Sequence, residues 1–415
     1  MKPKKKHHIF RNILITLAVL LLAAGGVFAY TLSNVQKSLK KTYVNTGSAA
    51  TIKATQPLTI LLMGVDTGDA SRGGSGSWNG NSDSQIVLTL NPKTNTTTMV
   101  SMERDTMTRI LDNSNSIVST EKMNAAYPAG YNAGGITSAV QYAMNTISEQ
   151  AGIPINNFVV VNMDGLVNLV NDVGGIDVVN DSGSTITIAN TEPEYTATVP
   201  YIQGNPVQHI NGDQALVFAR DRDTLPNGDY GRTAHQREVM TQLFKKLLNL
   251  NNITQYQKFL NDISSDFKTN ISSSTSNLMA LMSYKNCFNK IVSLQYQGIG
   301  ETATGSDGLA ASYQFIPRDV DLAVQNVMRQ SIGETPITAL DSKMISYQGW
   351  FGSDPSQAYF MPSATVTTKG QTTPTVYGVN TDGSLVTINS NNAAQYVSTT
   401  GSAVSTGNST GTSGS

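Results

Sequence analysis

The first pattern along the chain is an uncharged apolar run at residues 13–30. As a helix rising 1.5 Å per residue it would extend roughly 27 Å, close to the ~30 Å hydrocarbon core of a bilayer, so one transmembrane helix is expected there. Lys2, Lys4, Lys5, Lys6 and Arg11 precede it. Such a cationic flank stays cytoplasmic, which places the rest of the chain outside the cell as a single-pass membrane protein. A cleaved signal peptide is the rival reading, with Val27-Phe28-Ala29 as the cleavage site. The run is long for a signal core, and this favours a retained anchor.

Downstream, apolar runs of strand length alternate with helix-period segments. Leu58-Thr-Ile-Leu-Leu-Met-Gly-Val65 reads as a buried strand. Ser84-Gln-Ile-Val-Leu-Thr-Leu-Asn91 and Thr96-Thr-Thr-Met-Val-Ser-Met102 read as two more, joined by a turn at residues 92–95. Ile136, Val140, Met144 and Ile147 share one helical face, with Gly152 as the stop. Phe158-Val-Val-Val-Asn162 is a further strand. Asp164 is then placed to cap a helix carrying Leu166, Leu169, Val170 and Val173, closed by Gly174-Gly175. Residues 215–222 read as a strand and 231–250 as a long helix, followed by further helical pattern and strands at 291–296 and 313–316. The alternation predicts an α/β fold, and the early hairpin predicts a mixed sheet: one large domain, a central mixed β-sheet flanked by helices, preceded by one transmembrane helix. The expected divisions are a cytoplasmic basic segment (1–12), the anchor (13–30), an extracellular stalk (31–56), the main domain (57–335) and a tail (336–415). The tail is rich in Ser, Thr, Gly and Asn and is expected to be largely flexible, with a small hairpin around Asp382-Gly383.

Charge narrows the function classes. The formal net charge is −1 over 415 residues, so no global field draws nucleic acid, and none is expected as a partner. One cysteine excludes an intrachain disulfide. His209 and His235 form no zinc-ligand pattern, no Gly-x-Ser-x-Gly elbow accompanies a histidine, and no Walker A loop is present. Between residues 57 and 240, arginine dominates: Arg72, Arg104, Arg109, Arg220, Arg222, Arg232 and Arg237, against Lys93 and Lys122 alone. A guanidinium offers a rigid fork of donors that matches phosphate oxygens, so the bias points to phosphate recognition.

On a strand ending at Arg222, Arg220 and Arg222 would share a face. Arg232 and Gln236, four residues apart, share a helical face that Val239, Leu243 and Leu247 continue. Arg237 falls off that face and is expected to be solvated. Convergence of these arginines at a helix N-terminus suits an anion; the plain alternative is a set of surface ion pairs, Arg220 with Asp223 or Arg232 with Asp229. Asp66 directly follows one strand and Asp83 directly precedes another. Two carboxylates with phosphate oxygens and waters make a reasonable octahedral Mg²⁺ or Mn²⁺ site, turn residues being the alternative. Arg104-Asp105 ends a strand, and Lys122 lies in a loop before the next helix; a local salt bridge and a solvated lysine are their default readings.

In order along the chain, Ile60-Leu-Leu-Met-Gly-Val-Asp66, Ser82-Asp83, Asn91-Pro-Lys93, Ser101-Met-Glu-Arg-Asp105, Lys122-Met-Asn-Ala-Ala-Tyr127, Asp172-Val-Gly-Gly-Ile-Asp-Val178, Leu216-Val-Phe-Ala-Arg-Asp-Arg222 and Gly228-Asp-Tyr-Gly-Arg232 with Gln236 resemble the LytR-CpsA-Psr family of cell-wall polymer transferases. The resemblance covers residues 58–251 well and runs more weakly to 333. It implies a pocket for polyprenyl phosphate or pyrophosphate, open to the outer membrane surface. It also implies phosphodiester transfer of a teichoic-acid-like or capsular glycopolymer to a peptidoglycan hydroxyl. By residue match, Asp66 and Asp83 would hold Mg²⁺ or Mn²⁺. Arg104, Arg220, Arg222 and Arg232 would grip the pyrophosphate, with Asp229 and Gln236 in support and Lys122 in the same binding group. Arg104, Arg220, Arg222, Asp229 and Arg232 are thus the candidate catalytic residues. The sequence departs from the family pattern at Asn81 and His235, where arginines are usual, and at Thr67-Gly68, where Arg72 is a possible substitute. A carrier-binding regulator without transfer and a polyprenyl pyrophosphate phosphatase are the alternatives.

Overall fold

The computed structural model describes residues 42–47, 52–66, 78–225, 228–248, 267–272, 274–371 and 373–397. The apolar run at 13–30, the basic segment before it, most of the stalk and Arg72 lie outside the described residues. Among the described residues no helix is long and apolar enough to cross a membrane.

Strand β1 (Leu58–Val65) is an interior strand of the main sheet. It pairs antiparallel with β2 (Ser82–Asn91), which pairs antiparallel with β3 (Thr96–Ser101) through the expected 92–95 turn. A small hairpin, β4 (Met107–Leu111) and β5 (Ile117–Lys122), leads through a 3₁₀ turn (Met123–Ala125) into α1 (Ala126–Ala151). Lys122 is therefore the end of a strand rather than a loop residue. The long helix is broken at Gly134-Gly135, where the expected helix starts, and stops at Gly152 with φ 66°, a left-handed cap that glycine adopts without strain. Then β6 (Asn157–Val161) runs parallel to β1. The next helix, α2 (Met163–Asp172), is capped by Asn162, whose side chain accepts from Gly165 N, and not by Asp164, which sits in its first turn.

The remaining elements are β7 (Ile176–Val179), β8 (Val207–Ile210), α3 (Gly212–Arg220), α4 (Asp229–Leu248), β9 (Phe267–Thr269), α5 (Thr275–Ser283), β10 (Lys290–Gln295), β11 (Ile299–Thr304), β12 (Ala310–Phe315), α6 (Arg318–Ser331) and α7 (Tyr347–Phe351). Three C-terminal strands follow: β13 (Ser363–Thr368), β14 (Thr375–Val379) and β15 (Leu385–Thr387). Among the described residues the central sheet has nine strands in the order β15-β14-β13-β10-β3-β2-β1-β6-β9. It is mixed, with β3–β10 and β1–β6 parallel and its other pairs antiparallel.

The expected flexible tail is corrected over most of its length. Through residue 397 the chain continues the sheet beyond β10, which would otherwise present an unpaired edge. The Thr- and Val-rich sequence of β13 and β14 suits a pleated surface, and Ala364, Val366 and Val379 join the main core. The hairpin around Asp382-Gly383 is the β14–β15 turn. Residues 398–415 lie outside the described residues.

Strand alternation divides the sheet between two surroundings. Leu61, Met63, Val65, Val87 and Val100 pack in one cluster with Val140, Met144 and Ile147 of α1 and Val320, Val324 and Val327 of α6. Ile60, Leu62, Ile86, Leu88 and Leu90 face the other way, toward α2, α3 and α4. A chain ending at residue 335 is therefore expected to lose its cooperative thermal transition or melt far lower, because β10 becomes an edge and the main core loses one wall. A transition within a few degrees of the full chain by circular dichroism would contradict the structural role of the tail.

Candidate active site

The second face of the sheet does not close on itself. Between β1, β2 and β6 on one side and α2, α3 and α4 on the other lies a cavity of ≈ 620 Å³. Its walls are apolar: Ile60, Leu62, Ile86, Leu88 and Leu90 from the sheet, with Leu166, Leu169, Leu216, Val239, Met240 and Leu243 from the helices. One end is charged, with Asp66, Asp83, Arg104, Glu192, Arg220, Arg222, Asp223 and Arg232 in its lining.

Asp66 directly follows β1 and Asp83 lies at the start of β2, which begins at Ser82, earlier than the sequence pattern implies. Between them, Asp66 N donates to Asn81 O at 3.1 Å. Gly80 permits that approach, since a Cβ there would sit 2.0 Å from the Asp66 carbonyl oxygen. Asn81 thus occupies the turn that closes on Asp66.

Arg104, in the turn after β3, reaches Asp83 at 3.0 Å, Asp105 at 3.5 Å and Asp229 at 3.5 Å. Burial alone would lower its pKa, but Asp229, Asp83 and Asp105 outweigh that and raise it. Arg232, in the first turn of α4, is buried and held two-pronged by Asp229, Nε to Oδ1 at 3.0 Å and Nη2 to Oδ2 at 2.9 Å, while Nη1 donates to Asp83 O at 3.2 Å. The Arg232–Asp229 pair weighed from the sequence is therefore real, but it lies inside the cavity rim rather than on the surface. Gln236, one turn on, lines the cavity and donates to Ala219 O at 3.2 Å.

Residues 215–222 are not a strand. Asn211 and Gln214 form a capping box that starts α3, and the helix ends at Arg220. Arg220 and Arg222 are brought to the cavity by a helix end and the turn after it, not by strand alternation. Arg220 is gripped by Glu192 at 2.5 Å, lies 3.8 Å from Asp66 and stacks over the Tyr195 ring at 5.5 Å. Burial opposes its charge, but Glu192 and Asp66 raise its pKa. Arg222 is 56% exposed and pairs with Asp223 at 3.7 Å. The buried Nε atoms of Arg104 and Arg220 make no hydrogen bond.

Lys122 does not line the cavity. It pairs with Asp105 at 3.0 Å, so it acts on Arg104 only through that shared carboxylate. Arg237 is not solvated. It is buried, donating to Ser101 Oγ at 2.8 Å and to Gln295 Oε1, and burial pushes its pKa down to about 10. It ties α4 to β3 and β10. His235 stacks on Phe218 with ring centroids 3.8 Å apart and meets Phe218 O at 3.0 Å, so it fastens α4 to α3 outside the cavity lining. Sequence reasoning missed Glu192 and Tyr195, which lie in the long β7–β8 connection without periodicity, and Glu103. The buried Glu103 carboxyl is pushed up to about 8 by burial, then by Asp229 and Asp105.

Replacing Arg237 with Ala is expected to destabilise the fold by roughly 1.5–3 kcal/mol in urea unfolding, the cost of losing a buried charged hydrogen-bonding group; a change near zero would contradict its bracing role. Glu103 carries a pH prediction. The folded chain holds this proton above pH 4.5, where the unfolded chain releases it. Its contribution is complete below pH 4.5 and is lost as pH rises toward about 8. Glu103→Gln should flatten that decline, leaving the slopes from Glu238, whose carboxyl burial pushes up to about 7, and from Asp321, which burial also pushes well up. Equal pH slopes in the two proteins would show that Glu103 is ionised when folded.

Residues 27–329 match the LytR_cpsA_psr family. Biofilm regulatory protein A of Streptococcus mutans is 38% identical over 353 residues, covering 83% of this chain and 82% of that protein. An Enterococcus faecalis protein named polyisoprenyl-teichoic acid–peptidoglycan teichoic acid transferase is 34% identical over 332 residues, covering 79% of this chain and 98% of that one. The crystal structure of protein gbs0355 from Streptococcus agalactiae superposes with a TM-score of 0.62 at 41% identity, covering 72% of this chain and 96% of that chain. With a family match over most of its length and relatives of this identity and coverage, the chain belongs to the LytR-CpsA-Psr family.

Proposed function

We propose that this chain transfers a glycopolymer from a polyprenyl pyrophosphate carrier to a hydroxyl of peptidoglycan, as a single-pass membrane enzyme acting outside the cell. Family membership makes it an enzyme of the transferase type, and its E. faecalis relative is named for the transfer of teichoic acid to peptidoglycan. The observation that carries the reading is the cavity itself. A long apolar chamber ending in clustered arginines matches a ligand with a hydrocarbon tail and a dense anionic head.

In this reading the tail lies along β2 and α4, between Ile86 or Leu88 and Val239 or Leu243. The pyrophosphate lies at the charged end, where Arg104, Arg220 and Arg232 donate and Arg222 closes the exposed side. An acceptor hydroxyl oxygen bonds to the polymer-side phosphorus as the bond to the bridging oxygen breaks, and the carrier departs as its monophosphate, which takes up the proton the hydroxyl releases. The chain's work in such a step is positioning and neutralising charge. Asp229 fixes Arg232 and Arg104, Glu192 fixes Arg220, and Gln236 holds the end of α3 against α4.

The rim carboxylates bear on the metal. Asp66, Asp83, Glu192 and Asp223 line the same end as the four arginines, so pyrophosphate would meet repulsion as well as attraction. Mg²⁺ or Mn²⁺ at Asp66 and Asp83 would remove it. Hard oxygen donors suit these ions, and Mg²⁺ is commonly held by one or two carboxylates plus substrate phosphates and water. Two carboxylates would leave the rest of the coordination shell to substrate oxygens and water. When bound the metal would supply charge neutralisation on the phosphate oxygens.

The test is binding of polyprenyl pyrophosphate and transfer of its polymer to peptidoglycan by purified variants. Asp83→Ala should abolish metal-dependent transfer with the fold intact. Arg220→Ala should weaken carrier binding by on the order of tenfold to a hundredfold, since a charge-assisted hydrogen bond contributes roughly 1.5–3 kcal/mol. Arg220→Lys should not restore it, because an ammonium lacks the fork. Arg222→Ala, at an exposed pair, should cost less. Full transfer by Asp83→Ala would remove that residue from the chemistry. Carrier binding without transfer under all metal conditions would instead support a carrier-binding regulator, a reading the S. mutans relative's name favours.

A further inference from the structure

The apolar end of the cavity lies toward one end of the sheet, and that end has its own composition. Register places it. Leu58 pairs with Leu90, Asn91 with Thr96, and Lys290 with both Thr96 and Thr368, so β1, β3 and β10 begin where β2 and β13 end. Lys93 is in the β2–β3 turn, Lys290 starts β10, Lys369 follows β13, Lys53 precedes β1, Lys245 is in the last turn of α4 and Lys285 follows α5. All six are exposed, and none forms an ion pair among the described residues. Arg104, Arg220, Arg222 and Arg232 are gathered at the opposite, charged end. Beside the lysines, α5 presents Met279 and Met282, 55% and 68% exposed and three residues apart on one helical face. Leu90, Leu243 and Phe288 bring the cavity lining to this same end.

The chain also arrives here from its N-terminal side. Tyr284 Oη donates to Lys53 O at 2.7 Å and to Gln56 O at 2.6 Å, and Asn270 Nδ2 donates to Thr46 Oγ1 at 3.2 Å. These residues follow the apolar run at 13–30 by a short stretch of chain. We propose that this end of the sheet is a docking face for an anionic phospholipid bilayer. Lysine ammoniums meet the headgroup phosphates, and Met279 and Met282 enter the boundary between headgroups and acyl chains. A cavity seated this way holds its charged rim away from the bilayer and its apolar end against it. The corollary that a carrier tail passes directly between bilayer and cavity rests on the transferase reading; the docking face does not.

The test uses the full chain reconstituted in phosphatidylcholine vesicles with and without phosphatidylglycerol. The only native cysteine, Cys287, is buried, so a fluorophore can be placed through Met282→Cys or, as a control on the β11–β12 hairpin, Leu309→Cys. Lipid-borne quenchers should quench the label at 282 and spare the label at 309, more strongly with phosphatidylglycerol. Combining Lys285→Gln with Lys290→Gln should reduce docking by on the order of fivefold per lysine. Equal quenching at both positions, no quenching at 282, or indifference to both lipid charge and lysine removal would overturn the proposal. Carrier binding and transfer in detergent, measured on the same lysine variants, should be unchanged. A failed docking test therefore leaves the transferase reading standing, and failed transfer leaves the docking result readable.

Discussion

The candidate site depends on one buried ion network. Arg232 has little contact with water, and a guanidinium in that position must be matched by hydrogen-bonded charge or it destabilises the fold. Asp229 matches it from within the same helical turn, then reaches Arg104, which in turn holds Asp83. The network joins the start of α4, the turn after β3 and the start of β2, and it fixes where the arginines stand. Lys122 and Asp105 extend it outward from the cavity, and Arg237 braces the same helix against β3 and β10 from its other side.

A second constraint follows from the sheet. Strands buried on both faces need partners on both, and α1 and α6 fill one face completely with side chains. On the other, α2, α3 and α4 stand off, and the apolar side chains of β1 and β2 that pack with Met99, Tyr284 and Cys287 also line a chamber. Apolar surface lining a chamber is favourable only when something apolar covers it. A hydrocarbon chain satisfies that requirement, and the ion network at the rim supplies the polar terminus such a ligand needs. Cavity and rim thus describe one ligand with two chemistries.

Much of this was legible in the residues. Short apolar runs bounded by turn signals gave the central strands, and the 3.6-residue period of α4 put Arg232, Gln236, Val239 and Leu243 on the cavity face where the structure has them. The strand read at residues 215–222 failed because a short continuous apolar run fits either element; the Asn211–Gln214 capping box was the signal that should have decided it. Arg237 failed because helix phase tells which residues share a face, not what covers the opposite one, and here β3 and β10 cover it. The tail failed because composition was weighed over its whole length, which hid the strand-forming Thr and Val pattern of β13 and β14. Glu192 and Tyr195 carried no signal, since a long loop has no period to read.

The central claim is that the chamber and its rim hold a polyprenyl lipid bearing phosphate. Native mass spectrometry of the full chain released from bacterial membranes measures this directly. The account predicts a co-purifying lipid whose mass is that of a polyprenyl phosphate or pyrophosphate, with or without saccharide, and its loss when Leu216→Trp fills the chamber in a protein that remains folded. A chain that carries no lipid, or that carries only neutral lipids lacking phosphate, would contradict it.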